Sequence, residues 1–331
     1  MSRARDFADL AGSSSNISTV AADSANLDQV ASSYSAGGIT GKNLIINGAM
    51  QVAARGTSFS SITGSTYTLD RFAVRDATAV SQSTDVPSSA GFKNSLFYDN
   101  AGTRGSINIR QVIEDATRLL NDTPCTLSFW AKGSTSASCS VDLADTNSTG
   151  FALTTGWVKY EITFPATSNL NSGNTYEAGA VWIDFNFGAS YPDVYLTGIQ
   201  LEVGEQATPF EHRSFGDELA RCQRYYYSHA DGASQSIGFG ANYSSSLLTC
   251  QIHFPVTMRS SPTLVQGSGT DYYRFRRSNG SDLFNGFTAT QTPSTNSVAL
   301  DCNANISGTQ GDGGRVQTEN ASAYIHFDSE L

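Results

Sequence analysis

Apolar residues recur at every second position over much of this chain. In residues 126–131, Leu127 and Phe129 share one face. Residues 157–164 alternate with Val158, Tyr160, Ile162 and Phe164 on one side. Residues 181–187 place Val181, Ile183, Phe185 and Phe187 inward and Asp184 and Asn186 outward, and residues 194–203 continue the theme. Successive side chains leave a pleated strand on opposite faces, so a period of two marks a half-buried strand. Gly, Asn and Ser punctuate these runs at turn spacing. Residues 42–48 form the opening strand in this scheme and end at an Asn47–Gly48 turn. The pattern predicts one β-sandwich over residues 41–212. It also predicts one short helix from Arg110 to Leu120, stopped before Asn121-Asp122-Thr123-Pro124.

The period changes twice. Over residues 213–227, Phe215, Leu219, Cys222 and Tyr226 fall on one helical face. Asp217 and Glu218 lie near its start and Arg221 and Arg224 toward its end, which suits the helix dipole. Short strands are predicted after it at 236–243, 247–254, 263–265, 272–276, 297–301 and 323–327. Residues 1–40 differ from everything that follows. Residues 3–10 suit a short helix, and Ile17, Val20, Ser24, Leu27, Ala31 and Tyr34 follow 3-4 spacing. Such a stripe is unstable alone, so a parallel bundle and a disordered leader both stay open. Ser35-Ala36-Gly37-Gly38 is a hinge. The chain is therefore expected to be mainly β: a short helical or extended leader (1–40), a jelly-roll β-sandwich (41–212), then a short helix and a C-terminal β-sandwich domain (213–331).

Composition supports this class. Only 15% of the 331 residues are charged, so Ser, Thr, Gly and Asn carry the polar balance. The 11% of aromatic residues supplies large buried area for a core. The net charge is −10, and no basic stripe marks a nucleic-acid or anionic-membrane partner. No apolar run is long enough for a membrane span, and residues 1–7 lack the apolar segment of a secretion signal. Five widely spaced cysteines with no CxxC argue for free, buried thiols, against a disulfide framework or a zinc knuckle. An extracellular composition without a secretion signal suits a virion protein made in the host cytoplasm and released by lysis.

Several segments, in order along the chain, resemble bacteriophage tail fibre proteins that carry a carbohydrate-binding-module-like jelly roll. Residues 42–52 (KNLIINGAMQV) and 67–72 (YTLDRF) resemble the start of that domain. Residues 126–133 (TLSFWAKG) are similar to a middle strand, and 199–204 (IQLEVG) with 207–211 (ATPFE) to its last strand and exit. Residues 218–226 (ELARCQRYY) resemble the linker that follows, and 254–259 (FPVTMR) with Pro262-Thr263 a strand and turn of the C-terminal domain. The leader from Ser2 to Ala8 is similar to the start of short fibres that dock on a tail. The resemblance implies a homotrimeric fibre, attachment to the phage tail or an adaptor through Arg3, Arg5, Phe7 and Leu10, and trimerisation and recognition of a bacterial surface glycan or other receptor through residues 213–331. It implies no catalytic site. Jelly rolls of this kind frequently hold a structural calcium ion through carboxylate and carbonyl oxygens.

Candidate chemistry is sparse. Glycoside hydrolysis needs two carboxylates about 5–9 Å apart across a cleft. Asp142/Asp145 and Glu202/Glu205 are sequence neighbours with no cleft signature, and no β-helix rung repeat is visible. His212, His229, His253 and His326 show no metal-ligand spacing, although His253 and His326 each precede a Phe and suit a three-fold axis. No Ser-His-Asp set, phosphate loop or dinucleotide fingerprint is present. Binding fits better. Tyr272, Tyr273, Arg274, Phe275, Arg276 and Arg277, next to Asn279, combine rings with guanidinium forks that suit acidic sugars or phosphate. The bland alternative is an edge strand guarded by charge. Residues 231–243 form a second candidate. Trp130, Trp157 and Trp182 point away from the aliphatic faces of their strands, as a ligand face or as subunit packing. The leading expectation is a virion structural protein, a tail fibre or tail tip subunit. The alternatives are a polysaccharide-degrading enzyme with an accessory jelly roll and a head or baseplate decoration protein without receptor role.

Overall fold

The computed structural model describes residues 41–88, 90–100, 108–145, 147–170, 177–187, 192–289 and 293–331. The proposed attachment residues Arg3, Arg5, Phe7 and Leu10 and the stripe Ile17, Val20, Leu27, Ala31 and Tyr34 lie outside the described residues. Among those described, no helix is long and apolar enough to cross a membrane.

Twelve strands build the first sandwich: β1 (Ser58–Ser60), β2 (Ser65–Tyr67), β3 (Ala73–Arg75), β4 (Ala79–Ser83), β5 (Ser95–Asp99), β6 (Asn108–Ile113), β7 (Cys125–Gly133), β8 (Ala137–Leu143), β9 (Asn147–Leu153), β10 (Val158–Phe164), β11 (Val181–Asn186) and β12 (Val194–Val203). They form two antiparallel sheets, β1-β4-β5-β12-β7-β10 and β2-β3-β6-β11-β8-β9. The chain crosses between the sheets at most connections, which is jelly-roll connectivity. The alternation predicted from sequence sets the inner faces. Leu127, Phe129 and Ala131 of β7 meet Ile183 and Phe185 of β11, all at most 1% exposed. Phe129 sits at the centre, edge-on to Phe185 at 5.0 Å and Phe151 at 5.3 Å and stacked with Tyr160 at 5.3 Å.

Three local expectations differ. Residues 42–48 form no ladder. Leu44 N donates to Leu201 O at 2.9 Å, but side chains hold most of the segment, as where Ile46 N donates to Gln111 Oε1 at 2.8 Å. Asn47 turns the chain with φ 60°. Arg110–Ile113 belongs to β6, paired with both β3 and β11, so cross-strand pairing of β-branched residues outweighs helical spacing there. Asp115 (φ 50°) then breaks the chain, and only α1 (Thr117–Leu120) is helical. Val158 shares the inward side with its partner Ala131 but, at the end of β10, is 36% exposed.

Helix α2 (Phe215–Gln223) is capped by Ser214, whose side chain accepts from Asp217 N at 3.2 Å. It ends earlier than its spacing predicts because Tyr226 opens the next strand. Phe215 is 55% exposed, while Glu218 and Cys222 are the buried pair. Glu218 is buried because it accepts from Asn47 N at 2.6 Å and faces Arg213 at 3.4 Å. The second sandwich follows: β13 (Tyr226–Asp231), β14 (Ser236–Ser244), β15 (Leu247–His253), β16 (Thr263–Gln266), β17 (Tyr273–Arg277), β18 (Gly280–Phe284), β19 (Thr288–Ala289), β20 (Ser297–Cys302), β21 (Gly313–Thr318) and β22 (Tyr324–Asp328). A three-stranded sheet, β13-β22-β16, faces a seven-stranded one, β18-β17-β21-β14-β15-β20-β19. They enclose a second core around Phe275, Phe284, Leu300, Ile325 and Phe327.

Polar side chains lock the two sandwiches together. Arg71, 1% exposed, pairs with Glu330, donates to Val112 O at 2.6 Å and lies 3.4 Å from the Tyr225 ring. Arg55 binds Asp328 at 2.9 Å and Glu330 at 3.2 Å beneath the Tyr226 ring. Arg224 and the Tyr225 hydroxyl both reach Glu114, at 2.7 and 2.8 Å. All five cysteines are free and buried.

Candidate functional site

The outer face of the first sheet has a covered half and an open half. Thr126, Ser128, Gln200 and Glu202 project outward, yet all are at most 4% exposed. The chain after β12 folds back over them. Thr208 donates to both Glu202 oxygens at 2.7 Å, and Glu211 N donates to Gln200 Oε1 at 2.8 Å. In the open half, Phe97, Tyr195 and Lys132 are register neighbours on β5, β12 and β7, and Trp157 stands at the entry to β10. The Phe97 and Tyr195 rings are 4.5 Å apart and tilted by 30°; Trp157 lies 6.2 Å from Tyr195, nearly edge-on. Lys132 Nζ sits 4.5 Å from the Tyr195 centroid and 5.6 Å from that of Trp157. Asp85 joins the cluster by pairing with Lys132 and accepting from Trp157 Nε1 at 2.9 Å. Burial raises the Asp85 pKa, but the hydrogen bonds from Lys132 and Trp157 and the ammonium charge outweigh it and hold the carboxyl below its ordinary value.

This ledge has the parts a saccharide site needs. Ring faces suit apolar C–H patches, and an ammonium and a carboxylate fixed beside them suit hydroxyls. Sequence reasoning missed Phe97, Tyr195, Lys132 and Asp85. The outward positions of Lys132 and Tyr195 in alternating strands were visible, but not which strands are neighbours, and Phe97 and Asp85 lie outside the predicted strands. Of the three tryptophans, Trp157 lies on this ledge and Trp130 on the same face, beneath Phe92 and Gly198. Trp182 is on the other sheet, 4% exposed, with Nε1 3.4 Å from Asp145 and its ring 5.9 Å from the Arg110 guanidinium. Arg110 in turn grips Asp184 through two nitrogens. The tryptophans therefore do not form one face. A groove of about 1000 Å³ runs along the seam of the sandwiches, lined by Lys42, Phe210, His212, Arg221, Arg224 and Val256 among others.

The aromatic–arginine cluster of the C-terminal half divides by the alternation of β17. Tyr273 and Phe275 are 0% exposed core residues, and the Tyr273 hydroxyl donates to Gly267 O and Tyr324 O at 2.5 and 2.9 Å. Arg274 pairs with Glu319 at 2.6 Å and Arg277 with Asp282 at 2.7 Å. Tyr272 is half-buried, and Arg276 and Asn279 are exposed. The strand is second in its sheet, with β18 outside it, so its arginines do not guard an edge. His326 is buried with Nδ1 2.5 Å from the Tyr226 hydroxyl, His229 bonds Ile237 O at 2.6 Å, and His253 is exposed. Among the described residues, no group of three or more His, Cys, Asp or Glu side chains is arranged to hold a metal ion. Glu202 is taken up by Thr208, and Asp142 accepts from Asn186 Nδ2.

No family model matches the chain, and no curated protein matches it. Among solved structures it is similar to the enzymatically active domain of tailspike protein 4 of bacteriophage CBA120, with 20% identity, 49% of this chain and 22% of that one covered, and a TM-score of 0.33. It is also similar to a CBM4 structure, with 17% identity, 38% and 78% covered and a TM-score of 0.28. A third is the CBM22-1 xylan-binding domain from Paenibacillus barcinonensis Xyn10C, with 13% identity, 45% and 94% covered and a TM-score of 0.30. The chain spans about a fifth of the tailspike domain it matches.

Proposed function

We propose that this chain is a virion structural protein, a homotrimeric tail fibre or tail tip subunit. It attaches to the phage tail through its N-terminal residues and recognises a glycan or other receptor on the bacterial surface, without catalysis. The observation that carries the recognition half is the Phe97–Tyr195–Trp157 ledge with Lys132 and Asp85, left open beside the stretch of the same sheet face that the chain after β12 covers. The colinear resemblance of residues 2–8, 42–52, 67–72, 126–133, 199–204, 207–211, 218–226, 254–259 and 262–263 to tail fibres supports the virion half.

The test is adsorption inhibition. Purified full-length protein is expected to block phage adsorption to host cells and to bind the host surface polysaccharide. The Trp157→Ala and Tyr195→Ala variants are expected to bind about tenfold more weakly, equivalent to about 1.4 kcal/mol. Wild-type affinity in both variants overturns the ledge as the site. Release of reducing ends from that polysaccharide overturns the non-catalytic reading. A calcium ion in the jelly roll is part of the proposal; EDTA is then expected to lower the melting temperature, and an unchanged temperature removes the ion.

A further inference from the structure

The outer face of the seven-stranded sheet carries a second constellation. Arg276 of β17 lies directly opposite Arg315 of β21, and Arg315 lies directly opposite Phe239 of β14. Their neighbours Phe275 and Val316 point into the core at 0% exposure, so all three side chains leave the other face. Phe239 is 80% exposed, although β14 is the central strand of the sheet. Tyr243, further along the same strand, is 70% exposed. Between and beside the rings stand small residues, Ala241 opposite Gly313 and Thr249, which leave the ring faces clear.

Five of the eight arginines beyond residue 212, Arg213, Arg224, Arg259, Arg274 and Arg277, each hold a carboxylate, and Arg221 stands alone on α2 with no ion pair among the described residues. Arg276 and Arg315 hold none among the described residues. Like charges directly opposite on neighbouring strands, with Cα atoms about 5 Å apart, destabilise a sheet. Of the carboxylates on this face, Glu319 is held by Arg274 at 2.6 Å, and Asp301 pairs with Thr249 and Thr288 in another row, three strands from Arg315. The face thus presents two adjacent unneutralised guanidinium forks beside an exposed ring.

We propose that this face binds an anionic saccharide. Its carboxylate or phosphate groups sit on Arg276 and Arg315, and its sugar rings stack on Phe239 and Tyr243. Guanidinium forks match both oxyanions in geometry and charge. A second copy of the chain meeting this face through its own would set arginine pair against arginine pair, which disfavours a symmetric dimer here. The proposal is independent of the jelly-roll ledge.

The test is affinity electrophoresis of the full chain in gels containing polygalacturonate (carboxylate), phosphomannan (phosphate) or neutral pullulan. Retardation is expected with at least one anionic polymer and not with pullulan, and the two anionic arms tell which oxyanion is read. The double variant R276A/R315A and the single variant F239A are expected to lose at least tenfold in affinity. R276K/R315K, which keeps charge but not the forks, falls between. Full retention by R276A/R315A overturns the proposal, as does equal retardation by pullulan or none by either anionic polymer. Conversion of an oligomer to a monomer by F239A in sedimentation velocity also overturns it, by assigning the face to subunit contact.

Discussion

Replacing Glu330 with Ala removes the carboxylate that joins the two sandwiches at Arg71. The Arg71 side chain is 1% exposed and already spends one nitrogen on Val112 O at 2.6 Å. Burial lowers its pKa, yet a guanidinium starts so high that it stays protonated. The variant therefore strands a full charge in the interface. Losing one partner of a buried pair costs about 3–5 kcal/mol. Arg55 adds little to that loss, because it keeps Asp328 at 2.9 Å. At about 2–4 °C per kcal/mol for a chain of this kind, the melting temperature should fall by about 6–20 °C. Glu330→Gln retains an acceptor and should cost less. The double variant Arg71→Met, Glu330→Leu should recover part of the loss, since it buries no unpaired charge. Urea titration with calorimetry measures all four proteins. An E330A protein within about 1 kcal/mol of wild type, or a double variant no more stable than E330A, would refute the reasoning.

Further outcomes follow from the same contacts. Burial lowers the pKa of His229 and of His326, the latter despite Asp231 and helped by Arg55. Such groups favour the fold above the unfolded value of about 6.5 and disfavour it as pH falls toward the folded value. The urea midpoint should therefore drop below pH 6.5, and His326→Gln should flatten that drop. Burial raises the Glu114 pKa, but Arg224 and Tyr225 pull it below its ordinary value overall, so its contribution is present above about pH 4.3 and lost only as pH falls through the depressed value. Glu114→Gln should remove this acid-dependent component from the stability–pH curve. Gly198 has φ 63°, and a Cβ there would lie 2.5 Å from Phe92 and 3.0 Å from Trp130. Gly198→Ala should cost about 2–4 kcal/mol in denaturant, from the left-handed backbone and the crowding together. Burial pushes the Cys125 thiol up to about 12 and those of Cys139 and Cys250 to about 11. Ellman's reagent should find almost no reactive thiol in the native protein and all five after unfolding; fast native labelling would contradict the burial.

The first sandwich was legible in its strong strands. Strands β7, β10, β11 and β12 all announce themselves by period-two alternation, because one face of each must enter a core. Less came through where local pattern and long-range pairing disagree. The stretch from Arg110 shows helical spacing, yet β3 and β11 capture it. Strand β21 begins Gly313-Gly314 and has no strand signature; it exists because β14 and β17 flank it. The Tyr272–Arg277 cluster shows the same divide. Its composition marked a binding strand, but its alternation buries Tyr273 and Phe275 and leaves Arg276 outside.

The amino-acid sequence by itself determined which faces are apolar, where the chain turns and that the thiols have no partners. Those are local properties, fixed by side-chain chemistry and the two-residue repeat. Only the tertiary structure decided which strands are neighbours. Phe97, Lys132 and Tyr195 meet because β12 lies between β5 and β7. Arg276, Arg315 and Phe239 share a row because β21 lies between β17 and β14. Strand order follows from how two whole sheets close over their cores, and no short stretch of sequence carries it. The candidate surfaces are built from residues that alternation aimed outward and that sheet topology then brought side by side.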